Sequence, residues 1–204
     1  MNGDIVLFTS PLISDDRGYF TVGFNKDSIK EVLTKLTKDE LEDFVYQYNM
    51  SLSAKNVVRG LHYQIKNTQA KLVSCIQGSV IDIIVDLRKS SKNFKKAYSI
   101  YLNSPNMYLY VPKGFAHGFI SLEDNTIFSY IVNDKWNKNG ERGVNFIDYV
   151  NNHETDIFPI NFDLFSFQTY HEALDNLKYF NCIMTEKDQE FVNISEVDTK
   201  DLFK

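Results

Sequence analysis

A chain of 204 residues with 43% hydrophobic and 24% charged residues has the balance of a soluble globular protein and the length for one sizeable core. Its net charge of -5 argues against a non-specific binder of nucleic acid or anionic membrane, while leaving room for a basic pocket that takes an anionic ligand. The two cysteines, Cys75 and Cys182, are far apart and form no CxxC, so no disulfide framework or zinc knuckle is expected and a reducing compartment fits better.

The N-terminus lacks a basic region ahead of an apolar run, and no run approaches the length of a membrane span; a cytoplasmic location is expected. Ile5 to Phe8 reads as a short strand, and Ser14 to Gly18 as a turn before the aromatic pair Tyr19-Phe20. Apolar residues at 29, 32, 33 and 36 predict a helix over residues 26–36, with a second short helix over 38–44. Lys71 to Ile76 and Ser79 to Leu87, joined at Gln77-Gly78, predict a hairpin with glycine supplying the positive φ. In its second arm Ile81, Ile83, Val85 and Leu87 share one face, and Asp82, Ile84 and Asp86 the other. Further strands are expected over 97–102, 108–111, 115–122 and 127–132. Many short strands at close spacing point to a mainly β sandwich or jelly roll with a few short helices, not a βαβ sheet. The spacing of Ala173, Leu174 and Leu177 predicts a helix over 165–180, and Thr185-Glu186-Lys187-Asp188 reads as a capping box opening a last helical turn.

Four histidines are available, at 62, 117, 153 and 171. His62 and His117 stand out because each lies in a strand segment flanked by glycine, which permits close approach of a ligand or of another backbone. Jelly rolls often hold a metal through two imidazoles one residue apart with a carboxylate and a third histidine. Here Gln64 follows His62 by two residues and no HxH occurs, so no metal is expected.

The runs Arg59-Gly60-Leu61-His62-Tyr63-Gln64, Gln69-Ala70-Lys71-Leu72-Val73, Asp82 through Arg88 and Val111 through Phe119, with Asp16-Arg17-Gly18-Tyr19-Phe20 ahead of them, resemble the dTDP-4-dehydrorhamnose 3,5-epimerase family. The resemblance runs over about residues 5–160 and returns near 185. It implies a double-stranded β-helix of the cupin type, one domain over 1–204 with a helical C-terminal extension from about 160. It also implies a homodimer that exchanges N-terminal strands, and no cofactor. The implied reaction inverts C3, C5 or both of a nucleotide-linked 6-deoxy-4-keto-hexose through an enolate.

Such chemistry needs a base on one face of the sugar, an acid on the other and positive charge at the ketone oxygen. The resemblance makes His62 the base, Lys71 the enolate stabiliser and Tyr130 the acid. By residue type alone each reads as readily as a packed histidine, a solvated lysine and a core tyrosine. The family's partner carboxylate for the base lies in an S-x-K-D stretch, which Thr185 to Asp188 matches best. Asp188 is therefore the candidate, with Asp82 and Asp86 as alternatives. Arg17, Phe20, Gln47, Asn49, Arg59 and His117 match substrate-binding positions, and Trp136 falls where the family places an aromatic against the nucleotide base. Thr21-Val22 stand where the family often has a glutamate, and Lys135 where tyrosine is common, which leaves the nucleotide open among thymidine, cytidine and guanosine. Three other readings compete: an epimerase of a CDP- or GDP-linked sugar, a cupin 3,4-ketoisomerase, and a non-catalytic sugar-nucleotide binding module.

Overall fold

The computed structural model describes residues 5–25, 27, 47–148, 155–157 and 182–204. The helices expected over 26–36, 38–44 and 165–180 lie outside these residues, Asp27 apart, as do His153 and His171.

Among the described residues thirteen strands dominate: β1 (Val6–Thr9), β2 (Ile13–Asp15), β3 (Gly18–Phe20), β4 (Gln47–Ser53), β5 (Val58–Gln64), β6 (Lys71–Gln77), β7 (Val80–Asp86), β8 (Ala97–Leu102), β9 (Met107–Val111), β10 (Phe115–Ser121), β11 (Thr126–Val132), β12 (Glu141–Gly143) and β13 (Thr155–Ile157). They form a five-stranded sheet in the order β1-β9-β6-β11-β4 and a six-stranded sheet in the order β12-β5-β10-β7-β8-β13, while β2 and β3 pair only with each other. The two large sheets face each other as a jelly roll, as the sequence pattern and the resemblance led us to expect.

The faces follow from period-2 alternation. On β7, Ile84 points between the sheets, where it meets Val73, Ile100, Leu109, Phe119 and Phe128. Ile81, Ile83, Val85 and Leu87 point the other way, into a second core roofed by C-terminal residues including Met184, Ile194, Leu202 and Phe203. The division of β7 into two faces thus holds, and the strand is buried on both.

The predicted hairpin of residues 71–87 does not form. β6 pairs with β9 and β11, β7 with β8 and β10, so the chain crosses from one sheet to the other at Gly78. Gly78 does take the positive φ, at 76°. The local signal for a tight turn was sound, but the inward residues of both arms enter one core only if the arms face each other instead of pairing.

The pairing of β5 with β10 sets up the site. His117 sits opposite His62, and the register slips between His117 and Phe119. At that slip Gly60 and Gly118 face each other: a Cβ on Gly60 would stand 2.6 Å from Gly118 Cα and 2.8 Å from the His117 carbonyl oxygen, and Gly60 has φ +118°. The glycines beside the two histidines therefore admit another backbone. Gly60→Ala meets backbone atoms that cannot swing aside, and is expected to lower stability by about 2–4 kcal/mol. Thermal unfolding checks this, through a Tm drop on the order of 5–15 °C.

Candidate active site

His62 extends from β5 into a cleft of about 390 Å3 between the sheets, lined also by Arg59, Lys71, His117, Tyr130, Trp136 and Asp188. The sheet geometry brings these together from four strands, a loop and a short helix. Lys71 opens β6 and Tyr130 lies on β11, in neighbouring strands of the five-stranded sheet. His62 and His117 come from the opposing sheet.

Asp188 arrives on α1 (Glu186–Gln189), whose N-cap is Thr185: the Thr185 hydroxyl accepts from the Asp188 amide at 3.2 Å. The expected capping turn is present, with Asp188 at its third position. Its carboxylate turns to the neighbouring sheet. Oδ1 lies 2.8 Å from His62 Nε2, and Oδ2 accepts from the Gly60 amide at 3.2 Å. Burial alone would raise the Asp188 carboxyl, but the hydrogen bond and charge of His62, the Gly60 amide and Thr185 outweigh it and hold its pKa below the usual value. An ionised carboxylate can only accept, so His62 Nε2 carries a proton, and in the neutral imidazole the lone pair then lies on Nδ1. The His62 side chain is 32% exposed and Asp188 6%, so the base meets the cleft while its partner is sealed.

The other carboxylates considered for His62 are engaged elsewhere. Asp82, fully buried, places Oδ2 2.7 Å from His117 Nε2. Asp86 accepts from Arg88 at 2.8 and 2.9 Å. Burial lowers the His117 pKa, opposed by Asp82 and reinforced by Lys71. Burial pushes the Lys71 ammonium down to about 8, opposed by Asp82 and Glu141. Burial raises the Tyr130 phenol, opposed by Arg59. The cleft thus offers an imidazole lone pair, a nearby ammonium that is easily neutralised and a protonated phenol: the parts of proton removal and return beside a carbonyl. Among the described residues no cluster of three or more His, Cys, Asp or Glu could hold a metal ion.

The remaining predicted positions divide. Arg59 lies along the cleft, its guanidinium donating to Ser53 Oγ at 3.2 Å and to the Leu52 carbonyl at 3.3 Å. Trp136 stands at the cleft, 55% exposed. Asn49 sits opposite Tyr130 in the register and accepts from Gln47 Nε2 at 2.6 Å on the outer strand β4. Arg17 and Phe20 lie on the exposed β2–β3 hairpin, where Arg17 pairs with Asp15, and do not line the cleft of their own chain. Among the described residues that hairpin pairs with neither large sheet.

Three neighbours of the base escaped the sequence reading. Glu141 lines the cleft and pairs with Lys187 at 2.7 Å. The Phe191 ring meets the His62 ring edge to face, with centroids 5.5 Å apart. It occupies the place a Cβ on Gly143 would need, and Gly143 is the β12 neighbour of His62. The stretch Gly140-Glu141-Arg142-Gly143, an acidic residue between glycines on a strand, was the available signal for Glu141; Phe191 had none.

Residues 3–196 match the family model described as dTDP-4-dehydrorhamnose 3,5-epimerase. The chain is 40% identical over 147 residues to the dTDP-4-dehydrorhamnose 3,5-epimerase of Shigella flexneri, covering 71% of this chain and 78% of that protein. It is 39% identical over 140 residues to the enzyme of the same name from Pseudomonas aeruginosa, covering 68% and 74%. Among solved structures it resembles the dTDP-6-deoxy-D-glucose-3,5-epimerase of Legionella pneumophila in complex with dTDP-4-keto-L-rhamnose, with a TM-score of 0.78, 28% identity and coverage of 98% and 93%. It also resembles the dTDP-4-dehydrorhamnose 3,5-epimerase of Elizabethkingia anophelis, with a TM-score of 0.69, 34% identity and coverage of 95% and 92%.

Proposed function

Because the chain belongs to the dTDP-4-dehydrorhamnose 3,5-epimerase family and is an isomerase of that class, we propose that His62 is the base that epimerises a dTDP-linked 6-deoxy-4-keto-hexose at C3, C5 or both. The observation that carries this is the His62–Asp188 pair, 2.8 Å apart, at the cleft that Lys71 and Tyr130 also line. His62 Nδ1 takes the proton beside the ketone, the electron pair moves onto the ketone oxygen as an enolate, and the Lys71 ammonium stabilises that oxygen. Tyr130 returns a proton from the opposite face of the ring. Arg59 and His117 hold the diphosphate, and Trp136 stacks on the base. Incubation with dTDP-4-keto-6-deoxyglucose in deuterated water tests the reading: NMR is expected to show deuterium entering beside the ketone. No exchange with that sugar, nor with its CDP or GDP counterparts, overturns it.

Lys71 adds a pH dependence. Its pKa is held down to about 8, so the ammonium is present below that pH and lost above it. In the free enzyme kcat/KM is expected to fall about tenfold per pH unit above the Lys71 pKa. Lys71→Arg, whose guanidinium stays charged, is expected to lack that alkaline limb. A wild-type profile flat from about pH 7 to 9.5 would remove Lys71 from the oxyanion role.

We further read the protein as a cytoplasmic homodimer, the whole chain forming one unit, with N-terminal hairpins exchanged between copies. No helix among the described residues is long and apolar enough to cross a membrane. Exposure of Ile13, Tyr19 and Phe20 on the hairpin, and of Tyr48, Met50 and Leu52 on β4, supports an apolar interface. Arg17 and Phe20 would then serve the partner's cleft. Mixing Arg17→Ala with His62→Ala subunits tests this. Each variant alone is expected to be nearly inactive, and the refolded mixture to recover up to about a quarter of wild-type activity through mixed dimers with one intact site. No recovery in a mixture shown to be dimeric would place Arg17 outside the partner's site.

A further inference from the structure

Gln64 lies on β5 two residues beyond His62, is 6% exposed, and has no part in the proton transfers. Its amide is fully directed. Nε2 donates to the Asn67 carbonyl at 2.7 Å and to the Lys135 carbonyl at 3.2 Å, and Oε1 accepts from the Asn137 amide at 2.7 Å. One side chain therefore grips the backbone on both sides of Trp136.

Further bonds secure the same loop. Asn137 Nδ2 donates to Asn67 Oδ1 at 2.7 Å, and Asn67 Nδ2 donates to the Asp134 carboxylate at 3.2 Å. Gln69 Nε2 donates to the Asp134 carbonyl at 2.8 Å, and the Ala70 amide to Asn133 Oδ1 at 2.8 Å. Residues 133, 134, 135 and 137 are thus each tied to the segment 64–70. Trp136, 55% exposed, is left facing the cleft.

We propose that Gln64 is a positioning residue for nucleotide recognition, stapling the loop so that the Trp136 indole is a fixed platform for the base; this rests on the reading that Trp136 stacks there. Only an amide meets the demand at this position, which is two donors toward carbonyls and one acceptor toward an N–H. Glutamate would set a carboxylate against two carbonyl oxygens, and neutral histidine offers one donor. A platform fixed in advance loses less freedom when the ligand arrives, so the staple acts on affinity. The strand that carries the base of catalysis thereby also sets the position of the nucleotide.

Trp136 is the only tryptophan of the chain, so its fluorescence reports this residue alone. The test compares wild type with Gln64→Ala and Gln64→Glu by time-resolved anisotropy of the indole, dTDP calorimetry and steady-state kinetics. In the wild type, slow depolarisation and quenching by dTDP are expected. In the variants a fast local component should appear, with dTDP affinity roughly tenfold weaker and KM raised, while kcat stays within about threefold. Should neither Gln64 variant fold, judged by circular dichroism, Asn67→Asp cuts the outer link and is expected to give the same fast component in smaller amplitude. Unchanged anisotropy in folded variants, or a fall in kcat with KM unchanged, overturns the proposal. A wild-type indole unresponsive to dTDP that calorimetry shows bound overturns instead the stacking reading, and anisotropy then decides the staple by itself.

Discussion

His62→Ala is expected to lower kcat by about 10³-fold and to abolish deuterium exchange beside the ketone, while dTDP still binds with near wild-type affinity. His62 sits where a base must: its Nε2 is committed to Asp188 at 2.8 Å, and its ring remains partly open to the cleft. Alanine removes the acceptor without disturbing Arg59, His117 or Trp136, so binding and chemistry separate. The neighbours do not replace it readily. Burial raises the Tyr130 phenol, so it stays protonated at neutral pH, and Lys71 remains mostly ammonium below about 8. NMR in deuterated water, alongside dTDP calorimetry, makes the measurement. Exchange within about tenfold of wild type would mean that another group removes the proton.

Asp188→Asn is expected to cost about 10³-fold in kcat, nearly as much as losing the imidazole, although it replaces one oxygen by nitrogen. The reason lies in the second contact of the carboxylate. Its Oδ2 accepts from the Gly60 amide, 3.2 Å away. Asparagine must keep its oxygen there, because an NH2 against that N–H would leave two donors face to face. Its NH2 then points at His62 Nε2, which becomes the acceptor, and the ring proton moves to Nδ1. The lone pair that faced the substrate is gone. Kinetics with dTDP calorimetry checks this: kcat should fall while affinity holds. A variant with wild-type kcat would show that the tautomer of His62 is set by something other than Asp188.

The cleft residues were legible only through the family resemblance of their motifs, since by residue type alone His62, Lys71 and Tyr130 read as readily as packed or solvated side chains; what the residues themselves made legible was local geometry. A strand places alternate residues on opposite faces, so the two faces of β7 could be read directly from the order of its residues. Likewise Thr185 followed by Asp188 announces a helix start through contacts within one turn. The partners of those groups were not legible. Asp188 was the candidate with Asp82 and Asp86 as alternatives, and the structure separates them: packing of β7 against β10 gives Asp82 to His117, Asp86 is held by Arg88 two residues on, and the docking of α1 gives Asp188 to His62. Gln64 looked only like a residue that was not a metal-binding histidine; its staple of the Trp136 loop needs residues about 70 positions away.

The sequence by itself determined most of the core strands though not β2, β3, β4, β12 or β13, the two faces of β7, the turn that caps the last helix, and that the histidine spacing does not build the usual cupin metal set. These are properties of neighbouring residues and act through short-range sterics and alternation. Tertiary structure decided that β6 and β7 face each other instead of pairing, that Gly60 and Gly118 let β5 close on β10, and that His62 meets a carboxylate 126 residues later in the chain. Those outcomes depend on how whole sheets register and pack, where the gain comes from filling one core and satisfying buried polar groups together, and no local stretch encodes it.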